Sequence, residues 1–485
     1  MANSPHREVI ERLGAFLRLR SKFSDEDIDS SLRDLASRLA PNPDGPVGDG
    51  RNRPFVLGDA ESIEVPHDVC RAPAQQHAST VKTAERNRAG NGRTRGQEPE
   101  SHLAAHVSGH YQPTRVPISF PDHAVAAADL PAPDVYKRIA HLIDYVTDQI
   151  RAGELPYLDV PDAHSANAIY DDRGNVFLGH KLRRLTLDSK EVMAFMRLLL
   201  TLELAFENVQ RGSHVTKRGL YYYHQTKLPD ERCEQESSDR ALSALSNILQ
   251  VRRKTLGFVE ARRGSIYGRL VIRSGTEVVN VSQLGPAGWS VPRFTDDVEI
   301  LGSDATFILI VEKEAIAFRL VEAQWFNLHP SIIVCGNGFP SYSTREFTRR
   351  LVETLHIPAF VCVDADPGGV RVALTYAHGA ISTAMETPWL ACNDIWWAGL
   401  HPSDVDRFGL GSDTGLRLES NDFEAAKALL SHPSDAYVNK RVREELALMI
   451  DRRTKTELEA ISVDLSFFVG EYLPRKLFDT DLVKL

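Results

Sequence analysis

The feature that most constrains the fold of this chain is a set of uninterrupted apolar runs in its C-terminal half. Three such runs occur, at residues 307–311, 332–335 and 359–363. Continuous apolar runs of this length are typical of strands that are covered on both faces, as in a parallel sheet. Residues 343–346 (Ser-Thr-Arg-Glu) have the pattern of a capping box, which predicts a helix between the last two strands. The order strand, helix, strand predicts a βαβ crossover and a mostly parallel α/β sheet.

Acidic residues that follow these strands predict a magnesium site. Chemistry in parallel sheets gathers at the carboxyl ends of the strands, which places Glu312, Asp364 and Asp366 at one edge. Asp364 and Asp366 are two positions apart, so both side chains can point to the same side of a strand end. Magnesium is a hard cation that binds a few carboxylates and keeps water for a substrate phosphate. We therefore expect Mg²⁺ as the cofactor and these three acids as its ligands.

Three consecutive tyrosines, Tyr221, Tyr222 and Tyr223, follow a predicted long helix that begins at Asp188. A phenol oxygen can attack a phosphodiester when a nearby cation stabilises the phenolate, and Arg218 is the local cation. A tyrosine nucleophile together with a magnesium site indicates a DNA-cleaving transesterase. The residues by themselves leave the nucleophile open among the three tyrosines.

The region after the tyrosines predicts a DNA-binding module. A helix with apolar residues on one side is followed by a basic helix-like segment and by a strand unit at residues 260–272, which is the order of a winged helix. Basic residues in such a module contact DNA phosphates, although a solvated charged surface is the alternative. The candidate contacts are Arg252, Arg253, Lys254, Arg262 and Arg263.

Composition sets the domain organisation. We expect a short helical segment at 1–40 that contacts a partner, a disordered linker at 41–131, a winged-helix domain with the nucleophile at 132–295, and a metal-binding domain with C-terminal helices at 296–485. The linker carries a loose basic cluster, Lys82, Arg86, Arg88, Arg93 and Arg95, for which solvated disorder is the simpler interpretation. The formal net charge is −9, so DNA binding requires a local basic surface. No membrane span or secretory signal is visible, and we expect a soluble intracellular protein.

Several motifs in this order resemble the A subunit of topoisomerase VI and its meiotic relative, the Spo-eleven type transesterase. The resemblance covers roughly residues 134 to 480. It rests on residues 218–222 (Arg-Gly-Leu-Tyr-Tyr), 308–315, 336–345, 364–369, 397–404 and 472–477. It implies a winged-helix domain followed by a Toprim domain, with Tyr222 as the nucleophile. Two departures stand out: Gly219 replaces the acid of the family motif, and Asn337 replaces a lysine.

The resemblance also implies a function. Tyr222 would attack a DNA phosphodiester to give a 5′-phosphotyrosyl link, with Arg218 stabilising charge and Glu312 aiding proton transfer to the leaving 3′-oxygen. The family is implied to act as a homodimer in which each tyrosine works with the metal site of the opposite subunit. Its partners would be double-stranded DNA, meiotic accessory proteins and a GHKL-ATPase-like B subunit. We therefore expect a nuclear protein that makes meiotic double-strand breaks and so initiates homologous recombination.

Other functions stay open. The chain could be the A subunit of a working ATP-dependent topoisomerase VI, which strand passage and religation would distinguish. Because Gly219 alters the tyrosine motif, a DNA-binding scaffold with weak catalysis is a second alternative. A Toprim nuclease or primase that uses metal by itself is disfavoured, since it would leave the tyrosine cluster without a role.

Overall fold

The computed structural model describes residues 118–188, 190–228, 234–411, 414–478 and 482–485. The predicted helical segment at 1–40, most of the predicted linker at 41–131 and its basic cluster lie outside the described residues. Within the described ranges, no helix combines the length and the apolar character that a membrane crossing requires.

The first part of the structure, the helical region (residues 132–259), is built on three long helices. Its elements are α1 (Ala132–Arg151), β1 (Tyr157–Pro161), β2 (Ala168–Tyr170), β3 (Val176–Leu178), β4 (Leu182–Thr186), α2 (Val192–Arg211), β5 (Val215–Thr216), α3 (Lys217–Lys227), α4 (Gln235–Leu249) and β6 (Phe258–Val259).

Helix α2 is the centre of this region, as its apolar sequence predicts. Its buried residues cover most of its circumference, and it packs against α1, α3 and α4 in one apolar core. A helix that is apolar on nearly all sides is stable only when neighbours cover it. The helix ends at Gly212, whose φ of 60° gives the left-handed C-cap that glycine adopts without steric cost.

The second part, the sheet region (residues 265–485), alternates strands and helices. Its strands are β7 (Ser265–Gly268), β8 (Val271–Ser274), β9 (Glu277–Asn280), β10 (Trp289–Ser290), β11 (Val298–Gly302), β12 (Phe307–Val311), β13 (Ser331–Cys335), β14 (Ala359–Cys362), β15 (Ile395–Gly399), β16 (Gly415–Arg417), β17 (Thr454–Thr456) and β18 (Val483–Lys484). Its helices are α5 (Glu314–Glu322), α6 (Trp325–Leu328), α7 (Tyr342–Leu355), α8 (Pro367–His378), α9 (Thr387–Leu390), α10 (Asp404–Arg407), α11 (Ser420–Leu430), α12 (Lys440–Arg452), α13 (Leu458–Ser462), α14 (Leu465–Phe467) and α15 (Leu473–Phe478), and a π-helical turn lies at Phe468–Tyr472.

Seven of the described strands form one sheet in the order β10-β7-β13-β12-β14-β15-β18. The four central strands, β13, β12, β14 and β15, are parallel, and the outer strands pair antiparallel. Every residue of β12, β13 and β14 is buried, which confirms the prediction from the apolar runs. Helix α7 connects β13 to β14 across β12, so the βαβ crossover is also confirmed. Its N-cap is Ser341, two residues before the predicted capping box.

The boundary between the two regions differs from the prediction. The strand unit expected to form a wing contains β7, which pairs with β13 of the large sheet, and β8, which pairs with β9 and β11. Isoleucine and valine side chains on these strands find apolar partners in the sheet region, not in the helical region. Strands from residue 265 onward therefore pair within the sheet region, before the predicted domain limit at 296, which stays a prediction.

The end of the predicted linker is folded. Val125 donates its amide to the Leu178 carbonyl at 2.8 Å, and Ala128 donates to the Gln250 carbonyl at 2.9 Å. Ile118 and Val125 are buried in small apolar clusters with residues of both regions. Residues 118–131 therefore pack along the folded protein, which corrects the C-terminal limit of the predicted linker.

Candidate active site

The tyrosine cluster lies on α3, whose start is fixed by local structure. Strand β5 pairs in parallel with β6 directly before the helix begins. Thr216 then acts as N-cap, because its hydroxyl accepts a hydrogen bond from the Gly219 amide at 3.0 Å. This arrangement satisfies one of the free amides at the helix start and sets the direction in which the tyrosines project.

The three tyrosines have different surroundings. Tyr222 is 51% exposed. Its neighbours are less exposed and already bonded, since the Tyr221 hydroxyl accepts from Gln225 Nε2 at 2.6 Å and the Tyr223 hydroxyl donates to Glu203 Oε2 at 3.0 Å. Tyr222 is therefore the tyrosine of the cluster whose hydroxyl is best placed to reach a macromolecular substrate.

Arg218 lies one helical turn before Tyr222 and contacts it. The Arg218 Nη2 atom is 3.3 Å from the Tyr222 hydroxyl, and the guanidinium lies 5.1 Å from the centre of the Tyr222 ring. No acidic side chain of the described residues forms an ion pair with Arg218, which hydrogen-bonds Gln235 at 3.5 Å. Its positive charge is therefore available to a phenolate or a phosphate at this position.

Gly219 occupies the position where the resembled motif has an acid. A Cβ atom at this residue would lie 2.9 Å from Val215 Cγ1 and 3.3 Å from Thr216 Oγ1. Any side chain here would have to displace the strand residue and the N-cap. The local packing of β5 against α3 therefore suits glycine, and the expected carboxylate beside Arg218 is absent.

His224 connects α3 to helices α2 and α4 through buried hydrogen bonds, and this residue was not predicted from the sequence. It is fully buried, with Nδ1 2.9 Å from Ser238 Oγ on α4 and Nε2 3.1 Å from Thr201 Oγ1 on α2. Burial, together with the charge of Arg197, lowers the pKa of His224 to about 4, so the ring is neutral near pH 7. Its spacing of four residues from buried Leu220 was the signal that could have placed it on the inner face of the helix.

The acids predicted to bind metal lie at the carboxyl edge of the large sheet. Val311 pairs with Cys335 on one side and with Cys362 on the other, so the residues that follow these strands are neighbours. The Asp364 amide donates to Glu312 Oε2 at 3.3 Å, which connects two of the predicted ligands directly.

Asp364 and Asp366 are held by other partners in this structure. Asp364 is buried, accepts from the Leu458 amide at 2.8 Å and lies 2.8 Å from Lys313 Nζ. Asp366 is the N-cap of α8 and accepts from the Gly369 amide at 2.6 Å. Across the ranges that the structure describes, no three acid, histidine or cysteine side chains are close enough to hold a metal ion.

The electrostatics of this edge nevertheless suit a cation. Burial raises the pKa of Glu312 to about 7, and the charges of Asp364 and Asp366 contribute to this rise against the opposing effect of Lys313. Burial also raises the pKa of Asp364. Buried carboxylates that repel one another are stabilised by a bound cation, and their oxygens are the donors that Mg²⁺ prefers. The donor set therefore fits a magnesium ion.

The predicted DNA contacts Arg252 and Arg253 are inside the protein. Arg252 is 2% exposed and lies 2.6 Å from Glu346 Oε1, and Arg253 is 5% exposed and lies 2.8 Å from Glu386 Oε1. They belong to a turn between α4 and β6, not to a basic helix. Because their charges are paired with acids of the sheet region, neither arginine is available to bind DNA, which corrects the prediction.

Lys254 is also engaged within the protein, since its Nζ lies 2.9 Å from Glu346 and also contacts Asp296. Arg262 and Arg263 are exposed in the segment between β6 and β7. These two arginines can reach a ligand from the surface, and their assignment to DNA stays a prediction.

The tyrosine cluster and the acidic edge share no direct hydrogen bond or ion pair among the described residues. None of the hydrogen bonds or ion pairs among the described residues connects Tyr222 or Arg218 with Glu312, Asp364 or Asp366. We call Arg218 and Tyr222 the tyrosine half-site, and Glu312, Asp364 and Asp366 the acidic half-site.

Two family models match the chain. The model for the Toprim domain of topoisomerase 6 A subunits and Spo11 matches residues 307–477, and the model described as "Type IIB DNA topoisomerase" matches residues 193–258. Residues 307–477 of the sheet region are therefore a Toprim domain, a class of domain that generally binds divalent metal ions. The second match covers α2, α3 and α4, which position the tyrosine cluster.

Curated relatives cover most of the chain. The A subunit of DNA topoisomerase 6 from Arabidopsis thaliana is 30% identical over 360 residues, which cover 72% of this chain and 81% of the relative. The A subunit of type 2 DNA topoisomerase 6 from Aeropyrum pernix is 30% identical over 75% of this chain and 98% of the relative. Meiotic recombination protein SPO11 of Mus musculus is 30% identical over 71% of this chain and 87% of the relative.

Proposed function

This chain belongs to the family of topoisomerase 6 A subunits and Spo11 proteins, and we propose that it makes DNA double-strand breaks that initiate meiotic recombination. The reaction is a topoisomerase-like transesterification. The observation that carries this proposal is the exposed Tyr222 hydroxyl beside the Arg218 guanidinium. The exposed phenol is the nucleophile, and the guanidinium is the group that stabilises its charge.

In the chemical step, the Tyr222 oxygen attacks the phosphorus of a DNA phosphodiester. The new bond joins the tyrosine oxygen to the 5′-phosphate, and the bond between phosphorus and the 3′-oxygen breaks. The tyrosine loses a proton and the leaving 3′-oxygen gains one, so the number of ester bonds is unchanged and no nucleotide is consumed. Arg218 stabilises the phenolate and the charge that develops on the phosphate oxygens.

The acidic half-site supports the same step. Glu312, Asp364 and Asp366 would hold Mg²⁺, which neutralises phosphate charge when bound. In the present structure Lys313 contributes a positive charge next to Asp364, at 2.8 Å. Glu312 has a second proposed role, the transfer of a proton to the leaving 3′-oxygen.

A double-strand break requires two copies of the chain, because one tyrosine cuts one strand. We propose a homodimer with a two-fold axis, in which Tyr222 of each subunit works with Glu312 of the other. This arrangement is supported by the lack of a direct bond between the tyrosine and acidic half-sites among the described residues of one chain. The further partners are meiotic accessory proteins and a GHKL-ATPase-like B subunit, and the site of action is the nucleus.

The DNA surface is proposed to include α3, α4 and the arginines that follow them. These helices keep the order of a winged-helix module, although the strands after them pair within the sheet region. Arg262 and Arg263 are exposed cations of this segment. They would contact the DNA backbone without reading its sequence.

A second function is favoured by the relatives themselves, which include both topoisomerase 6 A subunits and a meiotic recombination protein at 30% identity. In the topoisomerase role, the chain would support ATP-dependent strand passage and religation with its B subunit. Relaxation of supercoiled plasmid in the presence of ATP and the B subunit would favour this function. Covalent breaks without relaxation would favour the meiotic function.

Peptide mapping tests the proposed nucleophile directly. Protein trapped on DNA would be digested with nuclease and protease, and the peptide that keeps a nucleotide would be sequenced by mass spectrometry. We expect the nucleotide on Tyr222. A nucleotide on Tyr221, Tyr223 or a serine would refute the assignment.

A further inference from the structure

A large cavity lies between the helical region and the Toprim domain. Its volume is about 1130 Å³, and its wall includes residues of α4, α7, α8 and the turn at 381–383. Sites for small ligands have volumes of roughly 300–1,000 Å³, so a molecule of nucleotide size fits. The proposed cleavage chemistry uses neither this cavity nor Arg345 and Arg371, which line it.

Arg345 forms part of the wall and is an unusual buried cation. Its side chain is 4% exposed, Nη1 donates to Thr383 Oγ1 at 3.2 Å, and Nε and Nη2 have no hydrogen-bond partner among the described residues. Burial lowers the pKa of Arg345 to about 10, so the guanidinium still carries its charge at neutral pH. A buried donor of this kind is costly when it has no acceptor.

Glu260, the acid that attracts Arg345, already binds two other groups. Glu260 acts on Arg345 electrostatically, but one of its oxygens is 2.7 Å from Lys217 Nζ and the other accepts from the Tyr342 amide at 2.6 Å. These two partners lower the pKa of Glu260 against the effect of its burial, so Glu260 is ionised. Both oxygens of Glu260 therefore have other partners, and none of the ion pairs among the described residues joins Glu260 to Arg345.

A second arginine lines the same cavity from α8. Arg371 is exposed, its guanidinium lies 5.6 Å from the centre of the Phe339 ring, and no acid of the described residues forms an ion pair with it. Burial raises the pKa of Tyr437 to about 12, and the charges of Arg371 and Arg345 both oppose this rise. Arg345, Arg371 and Tyr437 all line this cavity.

We propose that this cavity binds a small phosphate-bearing molecule through Arg345 and Arg371. Two guanidiniums without acid partners among the described residues match the oxygens of a phosphate, and arginine is the side chain best suited to bind it. Because Arg345 is 4% exposed, the proposed ligand is a small molecule and not duplex DNA. The ligand would lie between Lys217, the first residue of the tyrosine helix, and the Toprim domain.

Calorimetric titration of the full-length protein tests this proposal without any cleavage assay. Inorganic phosphate, deoxyadenosine monophosphate and deoxyadenosine would be titrated at constant ionic strength. We expect phosphate and the nucleotide to bind and the nucleoside not to bind. Binding of the nucleoside as well as the nucleotide would overturn the assignment, and so would the absence of binding at millimolar phosphate.

Three variants locate the site. Arg371→Gln changes an exposed residue and should fold normally, and Arg345→Gln removes the buried charge. Each should weaken phosphate binding about tenfold or more, because a hydrogen bond to a charged group is lost. Arg475→Gln, an exposed arginine on α15, is the matched control and should bind as the wild type does. Unchanged affinity in Arg371→Gln would refute the proposal even if Arg345→Gln failed to fold.

A 5′-phosphorylated duplex oligonucleotide separates the two sources of phosphate. If free nucleotide is the ligand, it binds equally well in the presence of saturating unphosphorylated duplex, and a 5′-phosphate on the duplex adds no affinity. If the terminal phosphate of DNA enters the cavity, the phosphorylated duplex binds more tightly and displaces the nucleotide, which would overturn the assignment to a small molecule.

Discussion

Replacing Arg252 by methionine should destabilise the protein strongly and leave its DNA contacts intact. The guanidinium donates to Tyr342 Oη and to Glu346 Oε1, both at 2.6 Å, and lies 3.2 Å from Asp129. Tyr342 and Glu346 belong to α7, so this side chain connects the helical region with the Toprim domain. Methionine keeps similar length but removes every one of these interactions.

The loss of stability depends on which ion pairs remain after Arg252 is replaced. Removing one partner of a buried ion pair costs about 3–5 kcal/mol, because the other charge stays buried without compensation. Here Glu346 would keep Lys254 at 2.9 Å, and Glu386 would keep Arg253 at 2.8 Å. We therefore expect the lower end of that range, a loss of about 3 kcal/mol in the free energy of unfolding.

Urea denaturation, followed by fluorescence and circular dichroism, measures this loss. Arg262→Met is the matched control, because Arg262 is exposed and should change the free energy by less than about 0.5 kcal/mol. DNA affinity measured across salt concentrations gives the second readout. Arg262→Met should reduce the salt slope by about 0.9, and Arg252→Met should leave it unchanged in folded protein.

The opposite pattern would refute this reasoning. If Arg252→Met cost less than about 1 kcal/mol and also reduced the salt slope, the charge of Arg252 would face DNA and not the Toprim domain. The buried network around Glu346 and Glu386 would then have been assigned the wrong role.

Three further results are expected. Chelation of divalent cations, or Glu312→Gln, should lower the yield of covalent protein-DNA adducts about a hundredfold or more, whereas wild-type yield in chelator would contradict a metal requirement. Mixed dimers of a Tyr222→Phe subunit with a Glu312→Gln subunit should nick one strand, and no nicking would contradict action across the dimer. Because the pKa of His224 is about 4 instead of 6.5, the unfolded state alone takes up a proton as pH falls through this window. Stability should thus drop by about 2 kcal/mol between pH 7 and 5 from this residue, and calorimetry of His224→Gln should show a shallower dependence; an unchanged slope would contradict this origin.

The Toprim domain was largely predictable because its strands are buried on both faces. Burial on both sides produces continuous apolar runs, a pattern that strands with one exposed face do not show. These runs lie at 307–311, 332–335 and 359–363. The ends of parallel strands share an edge, so Glu312 and Asp364 could be placed together from the same pattern. Long helix α2 was predictable for a similar reason, since its apolar residues recur at helical spacing.

The roles of charged residues were not predictable from local sequence. Arg252, Arg253 and Lys254 form a basic run that looks like a DNA contact, but their partners Glu346 and Glu386 lie 92 to 133 positions away in the Toprim domain. Such pairs depend on how the two regions pack, which no local pattern encodes. The same holds for Lys313, whose contact with Asp364 depends on the pairing of two strands and the path of the loops that follow them.

The predicted wing shows a third limit of prediction from the sequence. Strands β7 and β8 follow the helices at the spacing of a winged helix, and their alternation suits a two-stranded ribbon. In the structure β7 pairs with the edge of β13 instead, and the apolar side chains of both strands pack in the core of the sheet region. Short strands have little preference of their own, so the available edge determines their partner.

The most direct test of the central claim is recovery of covalent protein-DNA complexes from meiotic cells that express either the wild type or Tyr222→Phe. Tyr221→Phe is the matched control, since its hydroxyl is bonded to Gln225 and lies on the same helix. We expect adducts in the wild type and in Tyr221→Phe, and none in Tyr222→Phe. Adducts that persist in Tyr222→Phe would contradict the assignment of the nucleophile, and their absence from every sample would contradict the transesterase function.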